Sequence, residues 1–181
     1  SKEEQKIMKK IGVYIHIPFC KQKCYYCDFI SYANKEQYFD KYIQVLIAEM
    51  SYFFDNNDVE IETIYIGGGT PSIIDAKYIE KIMTKLQEKN ALITAKEITL
   101  EVNPGTVTEE KLKIYKKVGI NRLSIGLQST DNNILKTIGR IHSYEDFLNT
   151  YKLARNQGFD NINVDLMIGL PNQKILDVLV C

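Results

Sequence analysis

The sequence has no excess of either charge, because its 181 residues contain 23 Lys and Arg against 23 Asp and Glu. That balance removes the electrostatic argument for nucleic acid or an anionic membrane surface as the main partner. No apolar run approaches the roughly 20 residues that a bilayer-spanning helix needs. The charged N-terminal residues also lack the apolar segment of a signal peptide. We therefore expect a cytoplasmic protein that binds no nucleic acid and has no integral membrane segment.

Cysteine is scarce, with four residues, yet three of them cluster as Cys20, Cys24 and Cys27. Disulfides are rare in a reducing compartment, so clustered thiols indicate a metal site. The Cys-x3-Cys-x2-Cys spacing places three thiolates in one loop directly after a predicted strand. They can hold three irons of a cubane cluster and leave the fourth open, as substrate chemistry requires. Cys181 is expected to have no part in this site.

A zinc ion is the main alternative occupant of this loop. His16 lies four residues before Cys20, so a Cys3His zinc-binding module is chemically reasonable. Against zinc, His16 falls in the middle of a predicted strand and is followed by Pro18, where its ring can simply pack or hydrogen-bond. The loop residues by themselves leave both interpretations open.

Strand and helix patterns alternate along the chain. Five β-rich runs, bounded by Gly, Pro or Asn, cover residues 13–17, 63–66, 97–102, 122–125 and 161–168. Helical patterns cover about residues 35–54, 76–88, 109–118 and 132–138, and a last helix begins after Ser143 and ends before Gly158. The alternation predicts an α/β protein with a mostly parallel sheet.

Two of these helices carry an apolar stripe. On the first helix the expected inward residues are Tyr38, Tyr42, Val45, Leu46 and Phe53. On the second helix they are Ile79, Ile82, Met83 and Leu86.

Glycine and polar residues follow the predicted strands. Three consecutive glycines, residues 67–69, come directly after the second strand and allow the backbone to approach a ligand closely. Glu101, Gln128 and Asp165 lie at or near the ends of the third, fourth and fifth strands. Ligands of α/β barrels bind at the carboxyl ends of the strands, so we expect these groups to share one site with the cysteines.

Together these motifs resemble radical-SAM proteins of the oxygen-independent coproporphyrinogen III oxidase family. The matching segments are residues 14–20, 20–27, 67–72, 122–129, 139–142 and 164–171. The resemblance implies a partial (β/α)6 radical-SAM barrel with parallel strands, truncated after about the fifth strand. Residues 1–12 would be an N-terminal lead-in, and residues 13–181 an incomplete core without the family's sixth strand and C-terminal domain.

The resemblance also assigns residues to cofactors. Cys20, Cys24 and Cys27 match the ligands of one [4Fe–4S] cluster with an open iron site, at which S-adenosylmethionine binds and is reductively cleaved. Positions matching the family's S-adenosylmethionine site are Tyr14, Tyr26, Gly68, Gly69, Thr70 and Glu101. Positions matching contacts to a second S-adenosylmethionine in the porphyrinogen-oxidising branch are Gln128, Arg140 and Asp165.

The family contains haem chaperones as well as enzymes, and the sequence favours the chaperone branch. The oxidising enzymes carry a further cysteine two positions after the triplet, whereas here Cys27 is followed by Asp28 and Phe29. The alternative function is oxygen-independent dehydrogenation of coproporphyrinogen III to protoporphyrinogen IX. The chaperone interpretation implies haem or a porphyrin as ligand in the full-length protein and a haem-accepting protein as partner; no motif specifies the electron donor. We also expect the exposed sheet edges to favour self-association and to leave this stretch inactive by itself.

Overall fold

The computed structural model describes residues 8–88 and 95–179. Cys181 and the first part of the expected lead-in lie outside the described residues. In chain order the elements are β1 (Lys9–Ile17), β2 (Phe19–Cys20), β3 (Tyr32–Ala33), α1 (Phe39–Asn56), β4 (Val59–Gly68), α2 (Ala76–Glu88), β5 (Glu97–Val102), α3 (Glu109–Lys117), β6 (Arg122–Gln128), α4 (Asn132–Thr137), α5 (Tyr144–Asn156), β7 (Asn161–Leu166) and α6 (Ile175–Leu179).

The main sheet has five parallel strands in the order β1-β4-β5-β6-β7. Its register places Ile17 opposite Gly68, Val102 opposite Ile125 and Gly126 opposite Asp165. The carboxyl ends of all five strands therefore meet at one edge, as they must when every pair is parallel. The predicted α/β class with a parallel sheet is confirmed.

Helices cover the outer face of the sheet with apolar side chains. The stripe predicted on α2 is fully buried, with Ile79, Ile82, Met83 and Leu86 each at 0% exposure. Burial of each such side chain contributes about 1.5–3 kcal/mol. These residues join one continuous core with the buried side chains of β4, β5 and β6.

The stripe predicted on α1 is wrong in part. Its most buried residues are Ile43 and Met50, whereas Tyr38 and Val45 are more than half exposed. Residues at positions 43, 47, 50 and 54 follow the i, i+4, i+7, i+11 spacing of one helix face. The sequence prediction chose a neighbouring face because α1 carries aromatic or aliphatic residues on more than one side.

Side-chain caps stabilise the starts of α4 and α5. The Asp131 carboxylate accepts from the N–H groups of Asn133 and Ile134 at 2.6 and 3.2 Å. Ser143 and Asp146 form a reciprocal capping box at the start of α5. Each such cap stabilises a helix by about 1 kcal/mol. The loop of residues 138–142 between the two helices is held at the carboxyl edge of the sheet by hydrogen bonds from Arg140 to Gly126 O and from His142 to Leu127 O.

Three local features differ from the sequence prediction. Strands β1 and β4 begin earlier than predicted, at Lys9 and Val59, and β7 ends at Leu166. The two-residue strands β2 and β3, which flank the cysteine loop, were not predicted because runs this short carry no periodicity. Among the described residues, no helix combines the length and apolar character needed to cross a membrane.

Candidate functional site

The glycine turn after β4 lies directly against the first cysteine. Gly69 N–H donates to Ile17 O at 2.9 Å, and Thr70 N–H donates to Phe19 O at 2.7 Å. A Cβ on Gly69 would come within 2.7 Å of Phe19 O and 2.8 Å of Cys20 Sγ. Glycine is therefore required at this position because the two backbone segments touch.

The cysteine loop is fastened to the loop between α4 and α5. Tyr25 N–H donates to Ile138 O at 3.1 Å, and the Gln22 amide donates to Gly139 O at 3.1 Å. Gly139 has a φ of +78°, and a Cβ there would press on the Tyr25 ring at 3.2 Å. Two chain segments that are far apart in sequence thus form one wall of the site.

All three thiols of this loop are free, with Cys20 buried and Cys24 and Cys27 half-buried. They line an open cleft at the carboxyl edge of the sheet. Cys27 N–H donates to Cys24 O at 3.1 Å, so a tight turn presents the last two cysteines together. Three thiolates on a pre-formed loop are the donor set that a cubane cluster with one open iron needs.

The Cys3His zinc alternative finds no support in this geometry. Both ring nitrogens of His16 are engaged, with Nδ1 2.9 Å from the Tyr14 hydroxyl and Nε2 2.9 Å from Ile30 O. Within residues 8–88 and 95–179, no three His, Cys, Asp or Glu side chains converge on a single-ion site. Cluster ligands each bind a different iron and therefore stand farther apart than the ligands of one ion.

Two side chains donate hydrogen bonds to cysteine sulfurs. The Thr70 hydroxyl donates to Cys20 Sγ at 3.6 Å, and Arg140 Nη1 donates to Cys24 Sγ at 3.7 Å. Such donors orient metal ligands and tune the electron density on sulfur. The site thus holds two of its thiols in a defined position by contacts from the turn after β4 and from the α4–α5 loop.

Arg140 is the most densely bonded side chain of the cleft. Its remaining donors reach Tyr26 Oη (3.4 Å), Asn103 Oδ1 (3.2 Å), Gly126 O (2.6 Å) and His142 Nδ1 (3.2 Å). With Cys24 Sγ, this makes one acceptor for each of the five N–H groups that a guanidinium carries. A ligand carboxylate can pair with Arg140 only by replacing one of these acceptors.

Burial shifts the pKa values of two neighbours of Arg140. Burial raises the pKa of the Tyr26 hydroxyl to about 12, so the phenol stays protonated at neutral pH. Burial, together with the adjacent guanidinium, lowers the pKa of His142 to about 4. His142 is therefore a neutral ring at pH 7, with Nδ1 accepting from Arg140 and Nε2–H donating to Leu127 O at 3.2 Å.

Glu101 at the end of β5 presents a carboxylate at the floor of the cleft. Its Oε1 accepts from the Tyr65 hydroxyl at 2.8 Å, and its Oε2 accepts from Gly68 N–H at 3.0 Å. Burial raises the pKa of Glu101 above its ordinary value, and these two hydrogen bonds oppose that rise. Both oxygens keep a free lone pair, so the group can accept hydrogen bonds from an ammonium or a hydroxyl.

A second polar group lies on β6 and β7. Asp165 accepts from the Ser124 hydroxyl at 3.1 Å and from the Asn163 amide at 2.7 Å. Gln128 has a φ of +72°, which is uncommon for a residue other than glycine, and sits at a register shift between β6 and β7. Backbone strain and bulges of this kind are frequent at functional sites, where they redirect a side chain.

All predicted site residues except Tyr14 line this cleft. Tyr14 is 58% exposed, bonds His16 and lies 6.2 Å from the Tyr65 ring, outside the cleft lining. The further lining residues that the sequence did not assign to a cofactor are Gln22, Lys23, Phe29, Val102, Asn103, Ser124 and Gly126. For Asn103 a signal was present, because it stands two residues after Glu101 in the same strand-end motif.

The comparison with protein families establishes the superfamily to which the chain belongs. The model of the Radical SAM superfamily matches residues 14–179. The chain belongs to this superfamily. Membership of this superfamily implies a [4Fe–4S] cluster and S-adenosylmethionine as cofactors.

Curated relatives and a solved structure show which Radical SAM proteins the chain is similar to. The chain is 41% identical to the heme chaperone HemW of Escherichia coli over 176 residues, covering 93% of this chain and 45% of that protein. It is 39% identical to the heme chaperone HemW of Lactococcus lactis over 168 residues, covering 92% and 43%. The coproporphyrinogen III oxidase HemN of Escherichia coli, described with its structure as a Radical SAM enzyme, aligns with a TM-score of 0.83 and 27% identity, covering 96% of this chain and 40% of that one. The resemblance drawn from sequence motifs, with its partial barrel, is confirmed, and the chain spans less than half the length of these relatives.

Proposed function

We propose that this chain binds one [4Fe–4S] cluster and S-adenosylmethionine in the carboxyl-edge cleft, as part of a protein that carries haem to a haem-accepting partner. Binding of the cluster and of S-adenosylmethionine is supported by the convergence of three free thiols, the glycine turn and the Glu101 carboxylate on one cleft. The role in carrying haem is supported by the similarity of the chain, at about 40% identity, to heme chaperones.

The residues of the cleft divide the binding task. Cys20, Cys24 and Cys27 would supply the thiolates, and the open iron would accept the amino and carboxylate groups of S-adenosylmethionine. When bound, the cluster supplies a single electron for cleavage of a carbon–sulfur bond. The protein's own part is to position the ligand, to hold the thiolates and to shield the site from water.

Glu101 and the glycine turn would act on S-adenosylmethionine directly. The Glu101 carboxylate is aimed into the cleft by Tyr65 and by Gly68 N–H. An ionised carboxylate in a half-buried site accepts charge-assisted hydrogen bonds from the N–H groups of an iron-bound amine or from a ribose hydroxyl, each worth about 1.5–3 kcal/mol. Gly68 has a φ of +123°, and a Cβ there would collide with the His16 ring at 2.8 Å, so the turn needs glycine to adopt this shape.

Anaerobic reconstitution with iron and sulfide tests the cluster. We expect brown protein with broad absorbance near about 400 nm and, on reduction, an EPR signal that changes when S-adenosylmethionine is added. The Cys20→Ser variant should lose the cluster, whereas Cys181→Ser is the matched control and should retain it. Colourless protein with stoichiometric zinc contradicts the proposal.

A separate assay distinguishes haem handling from porphyrinogen oxidation. The full-length gene product is titrated with haem and, in parallel, incubated with coproporphyrinogen III, S-adenosylmethionine and a reductant. Saturable haem binding without formation of protoporphyrinogen IX is expected. Turnover of the porphyrinogen would replace the chaperone function with that of the oxidase HemN, to which the fold is similar.

A further inference from the structure

The two hydrogen bonds to cysteine sulfur are not independent of each other. One comes from Thr70 on the glycine turn and the other from Arg140 in the α4–α5 loop. Asn103, directly after β5, touches both donors. Its Nδ2 donates to Thr70 Oγ1 at 3.0 Å, and its Oδ1 accepts from Arg140 Nη2 at 3.2 Å.

The donor and acceptor roles of these groups fix the direction of each hydrogen bond that links Cys20, Thr70, Asn103 and Arg140. A threonine hydroxyl has one proton, and Thr70 gives it to Cys20 Sγ, so Thr70 Oγ1 must accept from Asn103. Arg140 only donates, so the Asn103 oxygen must face it. The amide has one orientation in which both bonds form, and that orientation directs both donor groups toward sulfur.

The backbone of Asn103 is held independently of its side chain. Asn103 N–H donates to Ser72 Oγ at 3.1 Å, and the Thr106 hydroxyl donates to Asn103 O at 2.6 Å. The Lys111 ammonium donates to Ser72 O at 2.8 Å and to Thr106 O at 3.2 Å. Exchange of the side chain at position 103 therefore leaves these backbone contacts in place.

We propose that Asn103 is a positioning residue of the cluster site: its amide holds the Thr70 hydroxyl and the Arg140 guanidinium on the sulfurs of Cys20 and Cys24. The inference rests on the proposed function, because it assumes that these cysteines ligate the cluster. Hydrogen bonds to ligand sulfur and nearby positive charge stabilise the more negative, reduced state of a cluster, which raises its reduction potential. Asn103 thereby tunes the cluster without touching it.

Asn103→Asp is the sharpest variant, because it keeps the shape of the side chain and removes its donor. The Thr70 hydroxyl then donates to the new carboxylate instead of Cys20 Sγ. The new negative charge also attracts the Arg140 guanidinium and so weakens its interaction with Cys24 Sγ. We expect the equilibrium constant for one-electron reduction of the cluster to fall at least tenfold, which corresponds to about 59 mV. Asn103→Ser, which adds no charge, should lower the potential by less.

The matched control places the same charge far from the cleft. Asn57 follows α1 at the opposite edge of the sheet, is exposed, and bonds Phe53 O through its amide. Asn57→Asp should leave the potential unchanged. The measurement is a redox titration of the reconstituted 181-residue chain followed by EPR, with iron content determined for each variant.

The possible outcomes separate this inference from the proposed function. A lowered potential in both Asn103 variants and an unchanged one in Asn57→Asp support the role of Asn103. Equal potentials in wild type and Asn103→Asp, both with a full cluster, overturn that role and leave cluster binding intact. If Asn103→Asp does not load a cluster, the potential of Asn103→Ser decides in the same way. A wild-type chain that takes up no cluster overturns both proposals.

Discussion

The Thr70 hydroxyl donates a hydrogen bond to the sulfur of Cys20 across 3.6 Å, although the two residues are separated by 50 positions in the chain. The contact joins the glycine turn after β4 to the first cysteine after β1. It exists because β1 and β4 are neighbours and end in register, with Ile17 opposite Gly68.

Removal of the Thr70 hydroxyl tests whether its hydrogen bond to Cys20 Sγ affects the reduction potential of the cluster. Thr70→Val keeps the volume of the side chain but removes the hydrogen bond to Cys20 Sγ. It also leaves the part-buried amide N–H of Asn103 without its acceptor. We expect a cluster that still assembles, a more negative reduction potential and a free energy of unfolding lower by about 1–3 kcal/mol. Redox titration and urea unfolding measure the two effects. The exposed Thr137→Val is the control, and equal potentials in both variants would contradict the prediction.

Gly69→Ala tests the close approach of the turn to Cys20. The new methyl group would lie 2.7 Å from Phe19 O and 2.8 Å from Cys20 Sγ, so either the turn or the cysteine must move. Overpacking of this kind costs about 1–3 kcal/mol, and we expect loss of iron on gel filtration after reconstitution.

Gly105→Ala separates crowding at the cleft from general backbone strain. Gly105 has a φ of +76°, so alanine is strained there, but the nearest atom to its Cβ is 3.9 Å away. This variant should be destabilised and yet keep its cluster. Equal iron retention in the two alanine variants would show that the contact at Gly69 is not required.

Glu101→Gln tests the carboxylate as the anchor of S-adenosylmethionine. Loss of a charge-assisted hydrogen bond should raise the dissociation constant about 10- to 100-fold. Glu97→Gln, at the opposite end of the same strand, is the matched control. Anaerobic equilibrium dialysis gives both constants, and equal affinity in the two variants would remove Glu101 from the binding site.

The same carboxylate predicts a pH dependence of binding. Burial raises the pKa of Glu101 above 4.5, so protonation begins at a higher pH than for an exposed glutamate. Because the ionised carboxylate accepts hydrogen bonds from the ligand more strongly than the protonated acid does, affinity for S-adenosylmethionine should fall as pH is lowered toward and through that raised pKa. In Glu101→Gln this part of the pH dependence should vanish.

His142 predicts a pH dependence of stability in the metal-free protein. Its pKa is about 4 in the folded chain against an ordinary value of 6.5, so between these pH values the unfolded chain binds more protons. Stability contributed by neutral His142 is therefore complete above pH 6.5 and is lost as pH falls toward 4. Urea unfolding at several pH values should show a shallower loss for His142→Gln than for wild type. Parallel curves would mean that the folded protein holds a protonated ring.

Periodicity and motif spacing predicted the parts of the structure that repeat or that act locally. The α2 stripe and the parallel sheet follow from apolar patterns, and the cysteines and glycines could be placed at the strand ends from their position after each strand. On α1, aromatic residues on several faces hid the inward face of Ile43 and Met50. The bonds of Asn103, Arg140 and His142 join segments whose proximity arises only when β5, β6 and the following loop are packed, so no local pattern reveals them.

The strands lie in the sheet in the order in which they occur in the chain, and this has a consequence for the nascent protein. A sheet that grows by one neighbour at a time can form from its N-terminal edge while synthesis continues. The three cysteines leave the ribosome with the first strand, but the guanidinium that touches Cys24 follows 116 residues later. Until Arg140 has been made, the Cys24 thiol lacks this hydrogen-bond donor, and a pause or delay in making the second half of the sheet would prolong that state. Delivery of the cluster before β6 is complete would therefore give a site that still lacks part of its hydrogen-bonded shell.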